Sequence, residues 1–260
     1  MIQEPFAVGH SAIHRLDPRV RLTAASVFSV TMALLNQPSA MLLGLMTASA
    51  LVTLARLPLG RVLRRLGVLL GFLALLWLVL PITAGGGVVT RLWGVPIGER
   101  GLVMAAGISI KSIAILLGLM AMVATMPVAT LGHAMGQLKV PPKIVYLLLM
   151  TYRYIYVIEV EYRRLVEAIK IRGFIPRQRL HTYRTVAYLV GMLLVRAALR
   201  ADRVHHAMVC RGFHGQFFTI RSFSMDRASA AFLIVVCSVV LLMGVMEWGA
   251  LTDWPWPRIR

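Results

Sequence analysis

The chain has 260 residues, of which 58% are hydrophobic and only 15% are charged, and its mean hydropathy is +0.76. A soluble domain of this size needs more polar surface, so the composition predicts an integral membrane protein. The formal net charge is +18, but the basic residues lie beside apolar runs, as they do on the cytoplasmic side of membrane proteins. We therefore expect no nucleic acid among the partners, and two cysteines exclude a disulfide-rich scaffold.

Apolar runs in the first half of the chain predict four membrane helices. Residues 22–55 carry no charge, are too many for one span and are interrupted at 36–39, so they predict a hairpin of two short helices. Residues 66–90 form a second uncharged run that contains a glycine turn at 85–87. Residues 101–138 carry a single charge and can hold one span followed by a short helix.

The region between residues 139 and 227 has a different pattern, because its apolar runs are too short to cross a bilayer. Flanking prolines and helical spacing predict two long amphipathic helices at about 142–172 and 180–211, at the membrane surface or partly beneath it. Residues 228–246 follow as the last predicted span. The apolar stripe of the second long helix contains Val186, Leu189, Val190, Leu193, Leu194 and Ala197.

Together these elements predict an all-α polytopic membrane protein with about five transmembrane helices and two long cytoplasmic or interfacial helices. We expect transmembrane helices in 1–126, the long helices in 127–226, and the final span and tail in 227–260. With a cytoplasmic N-terminus, 23 of the 28 Lys and Arg residues lie inside and 4 outside, and Lys111 lies within a span. Since basic residues collect on the cytoplasmic side, this split predicts a cytoplasmic N-terminus.

Lys111 places a charge inside a predicted span, and such residues commonly mark functional sites. One interpretation gives it a role in a substrate path. We favour another, in which the ammonium group faces a backbone carbonyl or a neighbouring subunit, or reaches the membrane surface. On the first long helix, Glu159 and Arg163 have the spacing of an ion pair on one helix face.

A seven-residue phrase occurs twice in the basic middle region. Residues 168–174 and 207–213 both read Ala-x-x-x-Arg-Gly-Phe. Glycine is the residue most easily placed in the left-handed conformation that ends a helix, so Gly173 and Gly212 are predicted helix stops. The phenylalanine that follows each glycine could add an apolar contact to a partner.

Arg172 and Arg211, the arginines of the two phrases, lie 39 residues apart in the chain. Each would occupy the last turn of its helix, where the helix dipole favours a cation. A guanidinium there projects five donors in a fixed fork, which suits a carboxylate on another protein. The alternative for either copy alone is an ordinary helix end with a stabilising cation. Two matched copies favour partner binding.

Residues for ATP hydrolysis or for metal binding are poorly represented. No Gly-rich phosphate loop ends in Gly-Lys-Ser/Thr, and the nearest approach, at 107–112, has the wrong spacing. His206 and Cys210 lie four apart on one helix face and could ligate a metal, but His214 falls beyond the predicted helix stop and no fourth ligand is near. A membrane-embedded metal-dependent enzyme that uses these three residues is the alternative from a different class.

The chain resembles the transmembrane T component of energy-coupling factor transporters, most closely the cobalt/nickel group. That family carries two short Ala-Arg-Gly-like motifs at the ends of long coupling helices. The stretch 14–22 and the phrase 207–215 are also similar to this group, and the resemblance covers essentially the whole chain. The residues that match the two motifs are Ile171, Arg172, Gly173, Cys210, Arg211 and Gly212. The first position of each motif departs from the alanine of the family.

The resemblance implies a non-enzymatic coupling subunit of an ATP-driven importer for cobalt or nickel ions in a prokaryotic cell membrane. A T component that serves a vitamin such as biotin is the alternative within the class. Two ATP-binding-cassette ATPase subunits would bind through the six motif residues. A separate substrate-binding membrane S component would lie against the apolar flank, with a small accessory membrane subunit and lipid as further partners. The chain itself would hold no catalytic residue, no metal and no cofactor.

Overall fold

The computed structural model describes residues 11–83, 88–92, 95–213 and 226–250. The predicted glycine turn at 85–87, His214 and the C-terminal tail lie outside these residues. The described helices fall into two compact units. The membrane unit contains the elements before residue 128 and the last helix, and the long-helix unit contains the three helices between them.

Nine helices and one two-stranded antiparallel hairpin make up the described residues. In chain order the elements are α1 (Ala12–Arg15), α2 (Pro18–Leu34), α3 (Pro38–Leu54), α4 (Leu59–Thr83), β1 (Val88–Leu92), β2 (Val95–Gly98), α5 (Glu99–Met122), α6 (Val128–Gln137), α7 (Pro142–Ile171), α8 (Leu180–Val209) and α9 (Arg227–Ala250). The strands β1 and β2 pair with a register shift between Val88 and Thr90.

The first two long elements form the predicted helical hairpin. Proline occupies the first turn of both α2 and α3, where its missing N–H costs nothing. The side chain of Asp17 caps α2 by accepting a hydrogen bond from the backbone N–H of Arg19 at 2.9 Å. The two helices are joined by a three-residue turn at 35–37. The interruption of the apolar run at 36–39 therefore marks a real helix boundary.

Three of the described helices, α4, α5 and α9, are long and apolar enough to cross a membrane. The helices α2 and α3 stand where the other two spans were predicted and have 17 residues each, the lower end of the length that spans a bilayer. The predicted all-α polytopic membrane fold is confirmed. The hairpin of β1 and β2 was not predicted, because both strands are short and the second contains a proline and a glycine, which weaken the sequence signal of a strand.

The core of the membrane unit surrounds α5, which packs against α2, α3 and α4. Close approach depends on small residues: a Cβ at Gly118 would lie 2.8 Å from the ring of Phe28. A Cβ at Gly101 would lie 2.4 Å from the carbonyl oxygen of Leu80, so α4 and α5 touch backbone to backbone there. Fully buried members of this core are Phe28, Met32, Leu35, Met120, Met122 and Met243.

A buried arginine lies among these apolar residues. Arg21 of α2 is only 2% exposed, and its Nε donates a hydrogen bond to the backbone carbonyl of Met122 at 3.0 Å. Its guanidinium also donates to the hydroxyl of Thr125, which is itself buried. The carbonyls at the end of a helix have no intrahelical partner. Arg21 therefore satisfies the end of α5 and ties it to the start of α2.

A second polar cluster lies at the turn between α2 and α3. The carboxylate of Glu247 on α9 accepts hydrogen bonds at 3.0 Å from the backbone N–H groups of Asn36 and Gln37. Lys111 of α5 donates to the carbonyl of Ala33 at 3.2 Å and to the side-chain oxygen of Asn36 at 3.4 Å. The lysine thus has a backbone carbonyl as a partner, which is the interpretation that the sequence favoured.

The long-helix unit contains α6, α7 and α8, and it confirms the two predicted helices to within two residues at each end. The short helix α6 packs against α7, where a Cβ at Gly132 would lie 2.6 Å from the side chain of Leu149. α7 has no buried residue and α8 has one, Leu189. Half of the predicted apolar stripe of α8 is exposed, namely Val186, Val190 and Leu194.

Candidate functional site

The first copy of the repeated phrase closes α7 as predicted. Gly173 has a φ of +77°, in the left-handed region. Its N–H donates to the carbonyl of Lys170 at 2.9 Å, and the N–H of Phe174 donates to the carbonyl of Ile169 at 3.2 Å. These two bonds are the Schellman arrangement, which satisfies the last carbonyls of a helix.

The second copy closes α8 with the same arrangement. Gly212 also has a φ of +77°. Its N–H donates to the carbonyl of Val209 at 2.9 Å, and the N–H of Phe213 donates to the carbonyl of Met208 at 3.1 Å. Among the described residues, no atom lies within 4 Å of a Cβ built at Gly173 or Gly212, so the backbone conformation there calls for glycine.

The two arginines occupy equivalent places, directly before the left-handed glycine. Arg172 and Arg211 are both exposed, as are the residues that precede them, Ile171 and Cys210. Within the described part of the chain, neither guanidinium has a carboxylate within 4 Å. Each helix therefore ends in an exposed cation with an open surface beside it.

The phenylalanines of the two phrases are half-buried, and each contacts a ring of the same unit. Phe213 stacks on Tyr146, near the start of α7, with ring centroids 5.9 Å apart. Phe174 lies 6.4 Å from the ring of His181, near the start of α8. The end of each long helix thus contacts the beginning of the other, so α7 and α8 are antiparallel. Both rings are half-buried, and the expectation that they add an apolar contact to a partner stays a prediction.

The two helices are also joined between their ends. Glu161 of α7 accepts a hydrogen bond from Arg196 of α8 and lies 3.7 Å from a guanidinium nitrogen of Arg200. The hydrogen bond from Arg196, reinforced by the nearby positive charges, lowers the pKa of Glu161. Sequence reasoning found the pair Glu159–Arg163, which the structure confirms at 2.5 Å, but missed this one. Glu161 and Arg196 are 35 residues apart in the sequence, so no spacing within one helix indicates that they pair.

Antiparallel packing places the two arginines at opposite ends of the helix pair. Each helix has 30 residues, so it is about 45 Å long at 1.5 Å per residue. Arg172 and Arg211 are therefore separated by roughly the length of one helix. A single globular partner of ordinary size would reach one of the two, and a matched pair of partners could occupy both.

The predicted alternative site on α8 gains no support from the described residues. His206 lies within α8 and Cys210 follows its last residue, and the rings of His205 and His206 are 6.0 Å apart. In the described ranges, no group of three His, Cys, Asp or Glu side chains could hold a metal ion. His214, the third member of the set, lies outside them. A metal-dependent enzyme is thus not assembled by the residues that the structure places here.

Comparisons with known proteins give a consistent result. A family model described as cobalt transport protein (CbiQ) matches residues 9–224. The energy-coupling factor transporter transmembrane protein EcfT of Acidaminococcus fermentans is 24% identical over 255 residues, which cover 93% of this chain and 94% of that protein. The EcfT protein of Lactococcus lactis is 25% identical over 260 residues, with 96% and 98% covered.

A third relative is of another kind. A Bifidobacterium longum protein described as an ABC transporter ATP-binding protein is 30% identical over 173 residues, which are 63% of this chain but 22% of that protein. Since the family model covers most of the chain and two relatives match over nearly their full lengths, the assignment does not depend on one short motif. The chain belongs to the CbiQ family and is a transmembrane T component of an energy-coupling factor transporter, a non-catalytic coupling subunit that leaves ATP hydrolysis to partner subunits.

Proposed function

We propose that Arg172 and Arg211 each bind one ATP-binding-cassette ATPase subunit, and that α7 and α8 transmit the movement of these subunits to the membrane. The observation that supports this most directly is the identical closure of the two helices. Each ends in a left-handed glycine, each carries its exposed arginine one residue earlier, and the two lie at opposite ends of an antiparallel pair. Two equivalent sites fit a motor with two ATPase subunits.

The exposed arginine at the end of each long helix is suited to bind a carboxylate in a groove of a partner protein. The guanidinium is a planar fork of donors that can pair with a carboxylate through two parallel hydrogen bonds. The glycine after it has open space around it, so the partner can approach the backbone closely. The residues that form the two ATPase-binding sites are Ile171, Arg172, Gly173, Cys210, Arg211 and Gly212.

The Bifidobacterium relative supports an ATPase as the partner. Its name describes an ATP-binding protein, yet a stretch of it is similar to 63% of this chain. A polypeptide that joins a T-like region to an ATP-binding protein keeps the two at a high effective concentration. Where the T component and the ATPase are separate subunits, they need a specific interface to stay associated. The exposed arginines at the ends of α7 and α8 supply that interface.

The uncovered apolar surface of the long helices supports a membrane-embedded partner, the substrate-binding S component. Leu147 of α7 is 61% exposed, and Val190 and Leu194 of α8 are 56% and 71% exposed. Apolar patches of this kind on a protein surface mark sites for a partner or for lipid. A small accessory membrane subunit would share this apolar surface.

The cargo is cobalt or nickel, and the description of the matching family supports it. The N-terminus lies in the cytoplasm of a prokaryotic cell, because seven exposed or half-buried arginines collect at the ends of the membrane helices near residues 15–19, 56–65 and 227. In this arrangement residues 1–126 and 227–260 anchor the subunit in the cell membrane, and residues 127–226 carry the coupling helices.

The test is coupled transport by the complete complex, with this chain, both ATPase subunits and the S component co-expressed. Arg172→Ala or Arg211→Ala leaves a partner carboxylate unpaired, which costs roughly 2–5 kcal/mol of binding. We expect each change to reduce the ATPase copurified with the T component, and the double change to abolish uptake. Arg203→Ala changes an exposed arginine of α8 that lies before the helix end and outside the repeated phrase. It is the matched control and should leave the copurified ATPase and the uptake unchanged. Normal uptake by the double variant would contradict the proposal.

The cargo is tested separately. Cells that express the complex should accumulate radioactive cobalt or nickel in an ATP-dependent manner, and excess biotin should not compete. Competition by biotin, with no metal accumulation, would instead assign a vitamin as the cargo while leaving the binding of the ATPase subunits intact.

A further inference from the structure

A cleft of about 770 Å³ opens at one end of the membrane unit, where α1 and α3 end and α9 begins. Its wall contains two guanidinium-bearing residues, Arg15 at the end of the short α1 and Arg56 after α3. The hydroxyl residues Ser11 and Thr53 and the carboxylate of Asp226 complete its polar lining. Two cations and two hydroxyls that face one space are suited to an anion.

The backbone at Arg56 indicates that its side chain serves a purpose. α3 closes with the Schellman arrangement: the N–H of Arg56 donates to the carbonyl of Thr53 at 3.0 Å, and the N–H of Leu57 donates to the carbonyl of Val52 at 3.4 Å. Arg56 thus occupies the left-handed position with a φ of +50°. The same position holds glycine at the ends of α7 and α8. An arginine is strained where glycine is not, and such strain commonly accompanies a function.

The positive charges of the cleft are not balanced by described carboxylates. Neither Arg15 nor Arg56 has a carboxylate within 4 Å among the described residues, and both are exposed. Asp226, the acid among the described residues that line the cleft, lies at the start of α9, where its side chain accepts a hydrogen bond from the N–H of Arg227 at 2.8 Å.

We propose that this cleft binds the phosphate headgroup of an anionic phospholipid. The cleft lies where apolar membrane helices end, which is the depth of the headgroups. Leu54, the last residue of α3 and part of the lining, is 51% exposed, and Leu59 at the start of α4 is 69% exposed, so both offer a surface to acyl chains. A soluble phosphate would use the same two guanidinium groups but would gain nothing from the apolar surface. The site does not include the arginines of the long helices.

The binding is measured on the full-length chain, purified and delipidated in a neutral detergent. Native mass spectrometry records the bound lipid during titration with dioleoyl phosphatidylglycerol and, separately, with dioleoyl phosphatidylcholine. A third titration uses glycerol phosphate, the soluble anion of matching chemistry. We expect phosphatidylglycerol to bind at least fivefold more tightly than phosphatidylcholine, since each arginine near an anionic headgroup contributes about fivefold in affinity. Glycerol phosphate at millimolar concentration should not displace it.

Arg56→Gly separates lipid binding from folding, because glycine suits the left-handed backbone at this position. The variant should bind phosphatidylglycerol about fivefold more weakly, while its thermal midpoint stays the same or rises. Arg15→Gln should weaken binding to a similar degree. Arg64→Gln removes an arginine outside the cleft and should change the preference by less than twofold.

Equal affinity for the two lipids would overturn the proposal, as would an Arg56→Gly variant that keeps the full preference. Displacement of the lipid by glycerol phosphate would also overturn it, by assigning the cleft to a soluble anion.

Discussion

Glu161 of α7 accepts a hydrogen bond from Arg196 of α8, and this contact joins the two long helices well away from either arginine tip. The carboxylate is 13% exposed, and the guanidinium of Arg200 approaches its other oxygen at 3.7 Å. Because the partners lie on different helices, the pair holds the helices in register. A movement imposed on one tip can then be passed to the other helix without the two sliding apart.

Replacing this carboxylate should weaken the helix pair in a pH-dependent way. The folded-state pKa of Glu161 is lowered, chiefly by the hydrogen bond from Arg196. A lowered pKa stabilises the fold above the unfolded-state value of about 4.3, and this stabilisation is lost as the pH falls through the folded-state value. Glu161→Gln should therefore have a lower thermal midpoint than the unmodified protein at pH 7, and the difference should shrink below about pH 4.3.

Glu159→Gln is the matched control, since Glu159 pairs with Arg163 on the exposed surface of α7 alone. Exposed pairs of this spacing contribute about 0.3–0.5 kcal/mol. Its midpoint should therefore stay close to that of the unmodified protein throughout the pH range. A pH-independent effect of Glu161→Gln would show that the charge of the carboxylate does not hold the helices.

Arg21 should be important for the stability of the membrane unit. Arg21→Met leaves the carbonyl of Met122 and the hydroxyl of Thr125 without their donor in a buried site. Each unsatisfied group costs about 1–3 kcal/mol, partly offset because a buried cation is removed, so we expect a net loss of about 2 kcal/mol. Thermal unfolding in detergent measures it.

The second variant of this test is Thr125→Val in the Arg21→Met background. The hydroxyl of Thr125 also donates a hydrogen bond to the carbonyl of Ala121 at 2.8 Å, which it keeps when Arg21 is replaced. Thr125→Val should therefore destabilise in both backgrounds, but by less in the Arg21→Met background, where the hydroxyl has already lost its donor. Additive losses in the double variant would mean that the two side chains do not act as a pair.

The helices themselves could largely be predicted from the sequence, because each is bounded by local chemistry. Proline begins α2, α3 and α7, and glycine closes α7 and α8. The contacts between helices could not be predicted from the sequence. Arg21 and Thr125 are 104 residues apart, and a burial of this kind runs against the usual exposure of arginine. Pattern and spacing describe one helix at a time, so the pairing of faces is decided only in the folded chain.

In the candidate site, too, local features could be predicted from the sequence and contacts between helices could not. The arginine and glycine of each phrase lie where the spacing placed them, because a helix stop is a local property. The packing of Phe213 could not be predicted in this way, since its ring stacks on Tyr146, 67 positions earlier in the sequence. Sequence spacing gave no sign that the phenylalanine of one phrase would pack against the start of the other helix. The antiparallel arrangement that separates the arginines could therefore not be anticipated.

Glu247 should stabilise the turn between α2 and α3 by acting as a cap from another helix. Glu247→Leu removes the acceptor for the N–H groups of Asn36 and Gln37, and the loss of such a cap costs about 1–2 kcal/mol. Glu247→Gln keeps one acceptor oxygen and should lose less than half of that. Thermal unfolding in detergent compares them with Glu99→Leu, an exposed acid in the first turn of α5. Equal losses in Glu247→Leu and Glu247→Gln would mean that charge and not capping is responsible.

The two glycines should be needed for their backbone conformation. Alanine at a φ of +77° costs about 1–2 kcal/mol, although no atom stands in the way of its Cβ. Gly173→Ala and Gly212→Ala should therefore open the last turn of their helices, turn the preceding arginine away and lower the ATPase copurified with the complex. Gly191→Ala lies inside α8 with equally open space, and there alanine should raise stability by about 0.5–1 kcal/mol and leave ATPase binding intact. Full ATPase binding by both tip variants would mean that the closure of the helix does not position the arginine.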